Sequence, residues 1–171
     1  MTVLSDASIR ELAAIRGEDG PITTCYLDVD GRRLVRQQDV EQELETLLRS
    51  ARQRAADEPS VLEDLARIEK YVRAGIDRQG VRGMVFFASS TNDLWEVIPL
   101  PVRVRSQVVV NSSPAVAQLE SILQGHEPIG VLLADRQRAR LFVFELGRLV
   151  ERSELLEELP RDYDVRGQSE R

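Results

Sequence analysis

Ile129-Gly-Val-Leu-Leu-Ala-Asp135 and Arg140-Leu-Phe-Val-Phe-Glu-Leu-Gly147 stand on either side of Arg136, Gln137 and Arg138. β-Branched and aromatic residues fit a pleated, half-buried surface, and a few polar residues between two such runs make a tight turn, so the stretch predicts an antiparallel hairpin. A third strand is expected within Leu149–Leu159, and a polar loop with Arg166-Gly167-Gln168-Ser169 follows. Three strands without a helix behind them leave an apolar sheet face uncovered, and a sheet ordinarily needs a second layer. We therefore read 128–171 as the beginning of a second α/β domain, truncated in this chain, and 1–127 as an N-terminal α/β domain large enough to fold alone.

Working back along the chain, Ser5 with Ile9, Leu12, Ala13 and Ile15 predicts a short helix closed by Gly17. Ile22–Val29 reads as a strand, and Asp30-Gly31 as a turn. Val40, Leu44, Leu47, Leu48 and Ala51 step at three and four residues, which puts them on one face of a helix over 37–56. Ser60-Val-Leu-Glu63 has capping-box spacing and opens a second helix with Val61, Leu65, Ile68, Val72 and Ile76 inward, up to Gly80. Val81–Ala88 is continuously apolar, as a central strand covered on both faces would be. Leu94–Ile98 returns, broken by Pro99 and Pro101, and Val102–Val110 follows. Ser113 as cap and Pro114 at the first helical position then start a helix that stops at Gly125. The expected class is α/β, a mixed sheet with packed helices, followed by the opening meander of the second domain.

Composition narrows the function classes. Hydrophobic residues make up 42% and charged residues 30% of the 171, near globular averages. No apolar run approaches the ~20 residues of a membrane span, and the start lacks a signal-peptide pattern, so we expect a cytoplasmic protein with no membrane partner. A net charge of −6 argues against a protein that coats nucleic acid, and no DNA partner is expected. Cys25 and His126 are the single cysteine and histidine, too few for a zinc set. Cys25 reads as a buried core thiol, and His126 as a surface residue or a partner of a helix C-terminus. Asp28-Val-Asp30-Gly31 has the start of a calcium loop but lacks the later ligands, including the terminal glutamate. No phosphate-binding glycine loop and no nucleophile–base set is present, so neither cofactor nor metal is expected.

All but Lys70 of the 23 basic residues are arginine, which suits bidentate phosphate contact and is equally what a GC-rich genome gives. They cluster as Arg32, Arg33 and Arg36, as Arg103 and Arg105, and as Arg136, Arg138 and Arg140. Each cluster reads either as an RNA contact or as a solvated face or guarded strand edge.

The order of a Val-Leu-Leu-Ala-Asp strand, a polar turn, an Ala-Arg-Leu-Phe-Val-Phe-Glu-Leu-Gly strand, a third strand and a loop ending Gly167-Gln168-Ser169 resembles the opening of the middle domain of the archaeo-eukaryotic class I release factors and Pelota. It looks most like the bacterial members of that superfamily. The resemblance covers about 129–169 by motif order and 22–127 by its general run of elements. It implies a translation-associated, ribosome-binding factor with ribosomal and transfer RNA as partners. In release factors a Gly-Gly-Gln loop enters the peptidyl-transferase centre. Glycine lets the backbone approach the transfer RNA end, and the glutamine amide stabilises the charge developing in ester hydrolysis. Gly167 and Gln168 carry over as catalytic residues. Arg166 stands where the family has its first glycine. It could contact phosphate, with Arg32, Arg33, Arg36, Arg136 and Arg138 as further RNA-binding candidates. A stop-codon Asn-Ile-Lys-Ser motif is absent, which argues against termination at stop codons. A peptidyl-tRNA hydrolase or ribosome-rescue factor, inactive as this isolated piece, a non-hydrolytic occupant of the ribosomal A site (a hibernation factor), and a structural or dimerisation domain unrelated to ribosomes remain open, as does the oligomeric state.

Overall fold

The computed structural model describes residues 5–135, 138–146 and 148–156. The chain divides into two compact units, Met1–Glu127 and Pro128–Arg171.

In the first unit two runs without an internal charge, β1 (Ile22–Asp28) and β2 (Gly83–Ser89), are buried at every position. They occupy the middle of a four-stranded sheet of order β3-β2-β1-β4, flanked by β3 (Leu94–Leu100) and β4 (Gln107–Asn111). The expected α/β class with packed helices is what the structure has, and every described ladder in it is antiparallel. Side chains alternate across a strand. Cys25, Leu27, Met84, Phe86 and Val108 share a core with α2 (Gln37–Arg54) and α3 (Pro59–Arg73). On the opposite face the Tyr26 hydroxyl donates to Ala115 O at 2.6 Å, and Thr24 Oγ1 accepts from Ala115 N at 3.0 Å, just before α4 (Ala117–Gln124). The first helix, α1 (Asp6–Ala14), is capped by Ser5, whose hydroxyl accepts from Ser8 N. Burial pushes the Cys25 thiol up to about 12, as expected of a core cysteine and not of a nucleophile.

Element boundaries depart from the sequence reading where tertiary contacts intervene. α3 starts at Pro59 with Glu58 as cap, so the Ser60–Glu63 box does not form. It ends at Arg73, followed by Gly75 with φ of 103°, well before Gly80, whose φ is also positive at 70°. Pro99 lies inside β3, opposite Met84. β3 is an edge strand, where the missing N–H of proline breaks no ladder bond. Residues 102–106 precede β4 instead of joining it, and α4 begins after Val116 rather than at Pro114. Gly83 is needed for close packing there, since a Cβ would stand 2.8 Å from Val102 O and from a Val104 methyl. At the end of α4, His126 Nδ1 lies 2.8 Å from Ile122 O, the expected place at a helix C-terminus.

The second unit is an antiparallel meander of β5 (Ile129–Ala134), β6 (Arg138–Glu145) and β7 (Arg148–Leu156), in the order β5-β6-β7. Its first hairpin closes at Asp135 and Arg138. The Asp135 amide donates to Arg138 O, and its carboxylate accepts from Arg138 N at 2.9 Å. Arg138 thus opens β6 instead of belonging to the turn. Every residue of β5 is exposed, Leu132 at 64%, so among the described residues no second layer stands on that strand. No described helix is long and apolar enough to cross a membrane.

Candidate functional site

The end of β1 folds into a knot of charge. The Asp30 amide donates to Asp28 Oδ1, the Arg32 amide to Asp30 Oδ1, and the Arg33 and Leu34 amides to Asp30 O. These bonds turn the chain sharply and leave the second carboxylate oxygens available. Arg103 grips Asp28 Oδ2 through Nε at 3.2 Å and Nη2 at 2.9 Å. Arg82 grips Asp30 Oδ2 in the same two-pronged way, at 3.1 and 2.8 Å. Arg33 reaches Asp28 at 3.3 Å and Glu43 at 3.2 Å. The carboxylates are almost wholly buried, at 3% and 6%, whereas Arg103 is 52% exposed. A buried carboxylate needs such partners, because desolvating an unpaired charge is costly. Two-pronged guanidinium contacts also fix the arginines in orientation.

Three guanidiniums surround two buried carboxylates here, and Glu43 takes up part of the positive excess. Beside them an open groove of about 600 Å³ is lined by Arg33, Asp39, Gln42, Glu43, Thr46 and Ser106 among others. The sequence reads Asp28 and Asp30 as a partial calcium loop and Asp30-Gly31 as a turn, and gives Arg82 no role. The signal was two aspartates at alternate positions closing an apolar strand.

The guanidinium of Arg82 and the Arg32 amide hold the Asp30 carboxyl below its ordinary value of 3.8. A carboxyl whose value is lower in the folded state stabilises that state above its unfolded value and ceases to as pH falls through the folded one. We expect Arg82→Gln, which removes the larger cause, to move acid unfolding to higher pH, read by circular dichroism during acid titration. An unchanged acid midpoint would contradict this account of the pair.

The RNA-binding candidates divide. Arg33 is engaged by Asp28 and Glu43, while Arg32 and Arg36 are exposed and in no ion pair among the described residues. The Arg36 amide donates to Asp39 Oδ2 at the start of α2, which sets where its side chain leaves the loop. Arg138 is exposed at the hairpin of the second unit, where Arg140 pairs with Glu154 at 3.0 Å. Arg136, Arg166, Gly167 and Gln168 lie outside the described residues. The structure thus brings Arg32, Arg33 and Arg36 together in one loop of the first unit and places Arg138 in the other unit.

Among solved structures, one described as an archaeal protein matches with a TM-score of 0.50 at 18% identity, over 94% of this chain and 47% of that one. The crystal structure of an archaeal translation termination factor matches with a TM-score of 0.41 at 16% identity, over 90% of this chain and 44% of that one. The chain spans a little under half the length of both. The likeness to the first is one of fold. No curated protein matches. Residues 114–171 match the family model for bacterial archaeo-eukaryotic release factor family 10. Over that segment, about a third of the chain, the sequence is similar to the bacterial archaeo-eukaryotic release factors.

Proposed function

We propose that this protein is a cytoplasmic, translation-associated factor that binds the ribosome, with a release-factor-like action on peptidyl-tRNA in termination-independent release or rescue. The observation that carries the reading is that the matched segment, 114–171, contains Gly167-Gln168. In this reading 1–127 is the N-terminal domain and 128–171 the beginning of a release-factor-like middle domain. Arg166, in place of a glycine, favours the second reading, a non-hydrolytic A-site binder: its Cβ narrows the backbone states open to the loop.

Ribosome binding is common to both readings and is tested first. The protein is expected to cosediment with ribosomes at low salt and to dissociate as salt rises, because phosphate contacts release counterions. Arg32→Glu with Arg36→Glu should weaken cosedimentation and reduce the slope of log affinity against log salt by about one to two. Arg33 is left alone, since a glutamate there would sit against Asp28 and Glu43 and disturb the fold. If nothing cosediments even at low salt, the ribosomal reading gives way to a structural or dimerisation module.

A further inference from the structure

The first unit's sheet ends unequally. The β3 edge carries Glu96 and Pro99, the kind of residues that keep an edge from pairing with another chain. The β4 edge, Gln107-Val-Val-Val-Asn111, carries neither charge nor proline. Among the described residues β4 pairs only with β1, and no hydrogen bond reaches its backbone from the open side. Read in either direction its chemistry is the same: an amide side chain, three valines, an amide side chain. An antiparallel partner centred on Val109 would set Val109 against Val109, Val108 against Val110, and Gln107 against Asn111. That register is self-complementary, as a two-fold contact between identical surfaces requires.

The ground beside the strand has the same property. A groove of about 420 Å³ runs along Val108–Val110, floored by Ala51, Ala55 and Val61 and bordered by Arg54 and Glu58. Both charged residues are exposed, and neither is in an ion pair among the described residues. A contact between identical surfaces brings one Arg54 and one Glu58 from each copy to the same interface. Val110 is 37% exposed beside the almost buried Val108, so pairing across the axis would also cover an apolar side chain.

We propose that β4 is a homodimerisation edge, on which a second copy of this chain adds its own β4 antiparallel and joins the two sheets into one of eight strands. This is independent of the ribosomal reading, since it rests on the sheet edge alone.

Sedimentation equilibrium of the 171-residue chain across a dilution series is expected to give twice the 19.3 kDa monomer mass at the concentrated end. Val110→Lys should return it to the monomer mass with an unchanged far-ultraviolet circular dichroism spectrum. The register has its own test. Directly opposed residues of an antiparallel pair have Cα atoms about 4.5–5.5 Å apart, within disulfide reach. Val109→Cys should therefore crosslink to its own copy under mild oxidation, and Asn111→Cys should not, while the native chain, whose Cys25 is buried, stays uncrosslinked. A monomer at every concentration, including one whose edge is covered by its own chain, overturns the proposal. So does a dimer that survives Val110→Lys, or one in which Asn111→Cys crosslinks and Val109→Cys does not.

Discussion

In the full-length protein of which this reading makes 1–171 a part, Gln168→Ala is expected to slow peptide release from ribosome-bound peptidyl-tRNA by on the order of 10²-fold while leaving ribosome cosedimentation unchanged. A group that acts on the developing charge of ester hydrolysis and not on docking lowers the chemical step alone, and one such group is typically worth about 10²–10³ in rate. Arg166→Gly should act in the opposite sense. It restores the backbone freedom that a glycine has beside Gly167 and is expected to raise the rate, since the loop must come close to the transfer RNA end. The pair of variants separates the two ribosomal readings. If neither that full-length protein nor its Arg166→Gly variant releases peptide while both still bind ribosomes, the hydrolase reading fails and the A-site binder stands.

Phe86→Ala should cost the first unit about 3–5 kcal/mol, the range for removing a buried aromatic ring from a packed core. Phe86 is fully buried on central strand β2. Its ring meets Tyr71 edge-on, with centroids 5.6 Å apart at 74°, and lies 6.2 Å from Trp95. Truncation would open a cavity between α3 and the sheet and dissolve that aromatic group at once. Leu132→Ala on exposed β5 is the contrast, with a change expected within about ±0.5 kcal/mol. Urea unfolding followed by circular dichroism measures both. A loss below about 1 kcal/mol for Phe86→Ala would show that the core repacks around the gap.

What could be read from the sequence was whatever is written locally and repeated. The apolar runs at Ile22–Val29 and Val81–Ala88 placed the two central strands, and the three-and-four spacing from Val40 to Ala51 placed α2 to within a few residues. Local grammar misled where a distant group decided. Ser113-Pro114 has the form of a helix start, but Ala115 gives its amide to Thr24 and its carbonyl to Tyr26, about ninety positions earlier, and the helix begins only beyond that anchor. Pro99 reads as a strand breaker until β3 is known to lie at an edge. The charge knot was hidden for the same reason: Asp28 meets Arg103 across 75 positions, and no spacing rule connects residues that only a folded sheet brings together. The meander was legible because its hairpin is local, whereas Gly167-Gln168 could be read only through likeness to a family.

Trp95 is the chain's single tryptophan, and it sits on β3 of the first unit with the Arg67 guanidinium 4.3 Å from its ring centre. Nature has thereby placed one fluorophore in one of the two units. Its emission follows the melting of the sheet that carries β1 to β4, so in a spectrometer that unit already carries its own label.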